Sequence, residues 1–81
     1  MSDDVDARLR KIFGELFPVD PAALDDETRR GELDGWDSLG HLDLVAALET
    51  EFSLLLDPDE ALEIETFGDA KRMIAARQRD A

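Results

Sequence analysis

The most constraining feature of this chain is the stretch 35–52, in which a glycine turn, an aspartate and a serine lead directly into a long apolar run. Asp and Ser side chains accept hydrogen bonds from the first N–H groups of a helix, so the stretch predicts a helix that begins at about Asp37 or Ser38. One row of large apolar residues recurs at intervals of four and is expected to lie in the core: Leu44, Leu48 and Phe52. The rest of the chain is therefore expected to pack around this helix.

Three further segments carry helical signals. Apolar residues at helical spacing predict a helix over about residues 3–17. A proline suited to a first helical turn predicts a short helix over about residues 58–64, capped by Asp57. Thr66, with Asp69 three residues later, is a weak capping box and starts the last helix. No segment alternates as a strand should, so the fold class is all-α: a four-helix bundle with a long first loop and a short third helix.

Residues 18–36 have no sustained period and read as the long first loop, which Leu24 and Leu33 are expected to pin to the core. A short helical turn is expected around residues 26–30, because long unstructured loops are unusual in compact domains. Trp36 is expected to pack this loop against the bundle.

Composition limits the class of protein. Eighty-one residues, 43% of them hydrophobic, predict one small domain over residues 1–81. The chain has no cysteine, which excludes disulfides and thiolate metal sites. Its start is acidic where a secretory signal is basic, and no apolar run approaches membrane-spanning length, so a cytoplasmic protein without membrane insertion is expected. The net charge of −12 argues against nucleic acid and favours positively charged protein partners.

Ser38 is placed by this pattern at a helix N-terminus. The first backbone N–H groups of a helix are unpaired, and the aligned peptide dipoles place about half a positive charge there. A phosphodiester attached to Ser38 would therefore meet unpaired donors and a favourable dipole, as phosphates do at helix N-termini.

The motif Asp37-Ser38-Leu39 after Gly35, with the acidic and apolar helix that follows, resembles the acyl carrier proteins and related carrier domains. The similarity covers the chain from Leu9 onward and continues in register at Asp59-Glu60-Ala61, Ile64, Thr66-Phe67 and Ala70 to Ile74. Departures from fatty-acid carriers are Gly40 and His41, in place of acidic and hydroxyl residues, and Leu54-Leu55-Leu56, in place of a more polar loop. These departures bear on the pathway rather than on the carrier role.

The resemblance implies a bundle of the acyl carrier protein type that is a covalent shuttle and not an enzyme. It implies that a phosphopantetheinyl transferase moves 4'-phosphopantetheine from coenzyme A to Ser38, with Asp37 and Leu39 as the flanking motif residues. Acyl-loading and acyl-processing enzymes would then use the thiol of this arm to carry groups as thioesters. A fatty acyl, polyketide or aminoacyl cargo is compatible with the sequence, and a monomer is expected.

A second stripe on the central helix, formed by Leu39, Leu42 and Ala46, is rotated away from the core row. One interpretation is that the helix is buried on two sides. The other is an apolar docking strip for partners with basic surfaces, with an acidic rim that is expected to be exposed to solvent: Asp37, Asp43 and Glu49.

Other interpretations of these residues are weaker. Ser38, His41 and Asp43 do not form a hydrolase triad, because Asp43 points elsewhere on the helix and nothing supplies an oxyanion hole. His41 is expected to be solvated or to face a partner. A calcium loop starting at Asp57 lacks the required glycine and final glutamate. Trp36 could also border the arm, and Ser38 could be an unmodified helix-start residue in an acidic module that binds a basic partner.

Overall fold

The computed structural model describes residues 2–80, and the side chains of residues 4–78. Within this described range four α-helices follow one another, with one 3-10 turn at Pro21–Ala23: α1 (Ser2–Leu16), α2 (Ser38–Phe52), α3 (Pro58–Glu63) and α4 (Phe67–Asp80). The all-α, four-helix fold with a long first loop and a short third helix is confirmed. The predicted helix bounds agree with the observed ones within about a residue wherever both were given.

The core is organised around Phe13 of α1, which is fully buried. Its ring meets the rings of Phe17, Trp36 and Phe67 edge to face, at centroid distances of 5.7, 5.1 and 5.1 Å. Edge-to-face packing places the positive rim of one ring against the negative face of the next and is typical of buried aromatic clusters. The cluster joins α1, the long loop and the start of α4.

The central helix α2 packs against the core through the predicted row of Leu44, Leu48 and Phe52, all of which are buried. Asp37 is its N-cap, and the carboxylate Oδ1 accepts the N–H of Gly40 at 2.9 Å. The helix ends at Phe52, and the C-cap residue Ser53 has a left-handed backbone with a φ of 52°.

The long first loop is held by the core and by the start of α4. Leu24 is buried and Leu33 packs partly against the core, as expected. The helical turn predicted for residues 26–30 is wrong, because backbone groups there pair outside the segment. The N–H of Phe67 donates to Thr28 O at 2.9 Å, and that of Arg30 donates to Glu65 O at 2.8 Å. The helical turn that does form lies earlier, at Pro21–Ala23.

Helices α3 and α4 are capped locally. The N–H of Asp57 donates to Glu60 Oε1 at 3.0 Å at the start of α3. Thr66 Oγ1 accepts the N–H of Asp69 at 3.0 Å, while Asp69 Oδ2 accepts the N–H of Thr66 at 3.2 Å. This reciprocal pair is a capping box, so the predicted start of the last helix is confirmed.

Basic residues from the two ends of the chain reach over to the acidic middle. The segment 31–70 holds no Lys or Arg, yet Arg8 of α1 pairs with Glu51 at 2.9 Å and Arg77 of α4 pairs with Glu60 at 2.8 Å. These pairs join α1 to α2 and α4 to α3. Over residues 2–80, no helix combines the length and the apolarity that crossing a membrane requires.

Candidate functional site

Ser38 is exposed at the first turn of α2, directly after the capping residue Asp37. The first N–H groups of a helix have no acceptor within it. Asp37 occupies the N–H of Gly40, so the N–H groups of Ser38 and Leu39 remain at the open end of the helix. The Ser38 hydroxyl therefore stands in solvent at the positive end of the α2 dipole.

Two glycines shape the approach to Ser38. Gly35 has a φ of 87°, a conformation that costs a residue with a Cβ more than it costs glycine. Its carbonyl oxygen lies so near the helix that a Cβ built on Gly40 would be 1.8 Å from it. Glycine at position 40 therefore lets the loop close against the first turn of α2, which gives a physical reason for one of the departures from fatty-acid carriers.

His41 is buried and bridges two other elements, so the expectation that it faces solvent or a partner is wrong. The Trp36 Nε1–H donates to His41 Nδ1 at 3.0 Å, and His41 Nε2 lies 2.7 Å from the carbonyl oxygen of Ala61. The indole N–H can only donate, so Nδ1 is the acceptor, and Nε2 carries the proton that the carbonyl accepts. The neutral Nε2–H tautomer satisfies both contacts.

Trp36 is fully buried and packs the loop against the bundle, as predicted. Its indole stacks on Phe17 at a centroid distance of 6.1 Å and on His41 at 6.3 Å. The loop immediately before the helix start is thus anchored on one side by the core and on the other by His41.

An open cavity of about 590 Å³ lies beside Ser38. Its lining comes from the long loop, the first turns of α2 and one residue of α3: Arg30, Gly31, Trp36, Asp37, Ser38, His41, Leu42 and Leu62. Among the side chains that the structure describes, Arg30 has no carboxylate within ion-pair distance. The cavity therefore combines apolar walls with a guanidinium that no carboxylate among the described side chains pairs with.

Polar contacts hold α3 beside this cavity. None of the six residues Pro58–Glu63 is buried. Arg77 Nη1 donates to both carboxylate oxygens of Glu60 at 2.8 Å, and His41 holds Ala61 from the other side. The N–H of Asp57 and the Arg77 guanidinium keep the pKa of Glu60 below its usual value. Neither Arg77 nor His41 could be predicted to have this role, since no local sequence pattern joins residues on different helices.

The second stripe of α2 is open to solvent, so the interpretation that buries the helix on two sides does not describe this structure. Leu39 is 75% exposed, Leu42 is 66% exposed, and Ala46 is exposed between them and the helix end. Asp37 and Asp43 are exposed on its rim. Large aliphatic side chains exposed to this degree on one helix face are typical of interaction surfaces.

Glu49 differs from the other rim residues, and the expectation that it is solvent-exposed is wrong. It is half-buried, and its Oε2 accepts the N–H of Leu56 at 2.9 Å. The carboxylate therefore fixes the connection between α2 and α3. Its seven-residue separation from Leu56 is a tertiary contact that helical periodicity does not reveal.

The site lacks the arrangement of a hydrolase. Both ring nitrogens of His41 are engaged, by Trp36 and Ala61, so neither is available to take a proton from Ser38. Across the described residues no cluster of three or more His, Asp or Glu side chains could hold a metal ion.

Comparison with known proteins relates this chain to one family over most of its length. The family model described as "Phosphopantetheine attachment site" matches residues 7–74. The acyl carrier protein of Phenylobacterium zucineum (strain HLK1) is 38% identical over 74 residues, which cover 91% of this chain and 94% of that protein. The acyl carrier protein of Caulobacter vibrioides (strain NA1000 / CB15N) is 35% identical over 91% of this chain and 95% of its own. The acyl carrier protein of Treponema pallidum (strain Nichols) is 34% identical over 93% of this chain and 96% of its own length.

Proposed function

Because this chain belongs to the acyl carrier protein family, we propose that Ser38 is the residue on which it bears its 4'-phosphopantetheine arm. Family membership makes the chain a carrier rather than an enzyme. The observation that supports Ser38 is its exposed hydroxyl at the first turn of α2, inside the Asp37-Ser38-Leu39 motif. The prosthetic group supplies the thiol that a chain without cysteine lacks, and acyl groups are carried on it as thioesters.

The residues around Ser38 fit a phosphodiester. The N–H groups of Ser38 and Leu39 and the α2 dipole favour an anion at this point. Arg30 lines the same cavity and brings a positive charge. The nearest carboxylate in sequence, Asp37, has its Oδ1 occupied by the cap hydrogen bond. An added negative charge would thus meet donors and a cation as well as the general acidity of the chain.

The chain's own contribution is to position and present this group. The Asp37 cap and the close contact between Gly35 and Gly40 fix the helix start. Ser38 is then held on a rigid element while its hydroxyl stays accessible to a transferase. We propose that residues 1–81 act as one carrier domain in fatty acid, polyketide or related biosynthesis.

We further propose that partners dock on the strip formed by Leu39, Leu42 and Ala46, next to Ser38. Asp37 and Asp43 line it with negative charge, so the transferase and the acyl-loading and acyl-processing enzymes would present basic surfaces there. Exposed apolar residues surrounded by charge have the composition of a transient interface, with an apolar centre and a polar rim.

Attachment is tested by the intact mass of protein produced together with a phosphopantetheinyl transferase. We expect the wild-type chain to gain the mass of the arm and Ser38→Ala to gain none. Ser53→Ala is the matched control, because Ser53 is an exposed serine at the other end of the same helix. A Ser38→Ala protein that still gains the arm would show that another residue is the anchor. The mass of a trapped thioester on the wild-type chain then identifies the cargo.

Docking is tested by transferase kinetics at low and high salt. Asp43→Lys should slow association, and salt should reduce the difference from wild type, because rim charges act mainly on the encounter rate. Leu42→Ala should mainly shorten the lifetime of the complex. Lys11→Glu on α1 is a charge-reversal control outside the strip. If only the control impairs the reaction, recognition uses another face.

A further inference from the structure

Buried histidine is a feature of this chain that the carrier role leaves unexplained. His41 is the single histidine of the chain and Trp36 is the single tryptophan. Their side chains meet, with Trp36 Nε1 at 3.0 Å from His41 Nδ1, and both line the cavity beside Ser38. The other ring nitrogen lies 2.7 Å from the Ala61 oxygen. One imidazole therefore joins the long loop, the modified helix and α3.

The two elements joined in this way form walls of the cavity beside Ser38. Trp36 lines it from the loop, and Leu62, which follows Ala61, lines it from α3. Helices as short as α3 are marginal without tertiary contacts, and α3 buries none of its residues between Pro58 and Glu63. Its position consequently depends on the bonds from His41 and Arg77 and on its flanking residues.

We propose that His41 is a positioning residue of the attachment site, whose neutral imidazole fixes both the Trp36 wall and the Leu62 wall of the cavity beside Ser38. The inference rests on the proposed function for the identity of that site. In this role His41 holds the cavity walls around the arm and takes part in no step of catalysis.

The same geometry makes the arrangement sensitive to pH. An imidazolium has N–H groups on both nitrogens, so it can still donate to Ala61 but presents a donor to the Trp36 N–H. That indole N–H, buried in the core, would then lose its acceptor, which is unfavourable. Acidification should thus release the contact between His41 and Trp36, next to the helix start.

Several charged groups lie around His41 on the loop, on α2 and on α3. Arg30 faces the cavity from the loop and stays cationic, and Asp37 on α2 is a cap acceptor. On α3, Glu60 is bound by Arg77, which contributes to holding its pKa below the usual value. Asp59 and Glu63 on α3 are exposed to solvent. The response of the Trp36 indole therefore has to be compared directly with the imidazole signal of His41, to which these other groups do not contribute.

The inference can be tested by NMR on the full chain without arm or histidine tag, where one imidazole and one indole give single sets of signals. At about pH 8 we expect His41 Nδ1 to be unprotonated and Nε2 to carry the proton. On acidification the Trp36 indole signal and the Ser38 amide signal should shift with the same midpoint as the imidazole. A protonated Nδ1 at about pH 8, or an imidazole that titrates while both other signals stay fixed, would overturn the proposal.

Two variants separate positioning from general packing. Trp36→Phe keeps a ring but removes the indole N–H, so the Ser38 amide should lose its pH response. His41→Phe keeps an aromatic ring but removes both hydrogen bonds, and hydrogen exchange of the Leu62 amide should become about tenfold faster at neutral pH. Leu39→Ala, an exposed substitution on the same helix, should leave that exchange unchanged.

An unchanged Leu62 exchange rate in a folded His41→Phe protein would overturn the inference. If the His41→Phe protein does not fold, the inference is decided by the NMR titration of the wild-type chain and by the pH response of the Ser38 amide in Trp36→Phe. All signals come from the unmodified chain, so they do not depend on whether Ser38 is the anchor. Failure of this inference and failure of arm attachment at Ser38 are therefore distinguishable.

Discussion

Replacing Gly40 by alanine tests the close approach of the Gly35 loop to the first turn of α2, next to Ser38. A Cβ at this position would stand 1.8 Å from the Gly35 carbonyl oxygen and 3.1 Å from the Phe17 ring. Gly35 cannot easily retreat, because its φ of 87° defines the turn that leads into α2. The substitution must therefore displace either this turn or the first turn of the helix.

The expected free energy change is a difference between opposing terms. Alanine in a helix interior is favoured over glycine by about 1 kcal/mol. Overpacking costs roughly 1–3 kcal/mol, and loss of the hydrogen bond from the Gly40 N–H to Asp37 adds about 0.5–2 kcal/mol. The penalties prevail, and we expect Gly40→Ala to reduce the free energy of unfolding by about 2 kcal/mol. For a domain of this size that lowers the melting temperature by roughly 8–16 °C.

Urea and thermal unfolding followed by circular dichroism measure this loss. Gly14→Ala is the matched control, because its Cβ would meet the Pro21 side chain at 2.7 Å rather than backbone. Pro21 is exposed in a loop and can shift, so the control should lose less stability than Gly40→Ala. A Gly40→Ala protein as stable as wild type would show that helix propensity prevails and that the reasoning from the Gly35 contact is wrong.

Three further predictions concern single side chains. Asp37→Ala should reduce the free energy of unfolding by about 0.5–2 kcal/mol in urea unfolding, because Asp37 is the helix cap; no loss would exclude that role. Glu49→Gln should reduce the free energy of unfolding by at most about 1 kcal/mol in the same assay, since an amide oxygen can still accept the Leu56 N–H. Glu49→Ala removes this acceptor and should reduce the free energy of unfolding more than Glu49→Gln does. The pKa of Glu60 is lower in the folded protein than its ordinary value of 4.5, so its ionised carboxylate stabilises the fold at pH values above 4.5. This stabilisation is lost as the pH falls through the pKa of the folded state. The stability difference between wild type and Glu60→Gln, measured by urea unfolding, should therefore shrink over that acid range, and a constant difference would contradict the shift.

The helices could be predicted because their signals are local. Periodicity over a few turns placed Leu44, Leu48 and Phe52 in the core, and caps at Asp37 and Thr66 act on N–H groups within three residues. Ser38 was proposed as the attachment residue in the same way, from a helix start and a motif of adjacent residues. Interactions between residues this close in sequence can be predicted directly from the order of the residues.

Tertiary structure decided which flanks of those helices are buried. Leu42 and Glu49 lie on one helix, yet Leu42 is exposed and Glu49 is half-buried, because the connection to α3 covers only one of them. His41 reaches Ala61 across 20 residues, and Arg77 reaches Glu60 across 17. A helical repeat specifies the direction of a side chain around its own axis and carries no information about what packs there. The surroundings of Ser38 therefore depend on how the loop and α3 pack against α2, because the partners of these side chains are distant in sequence.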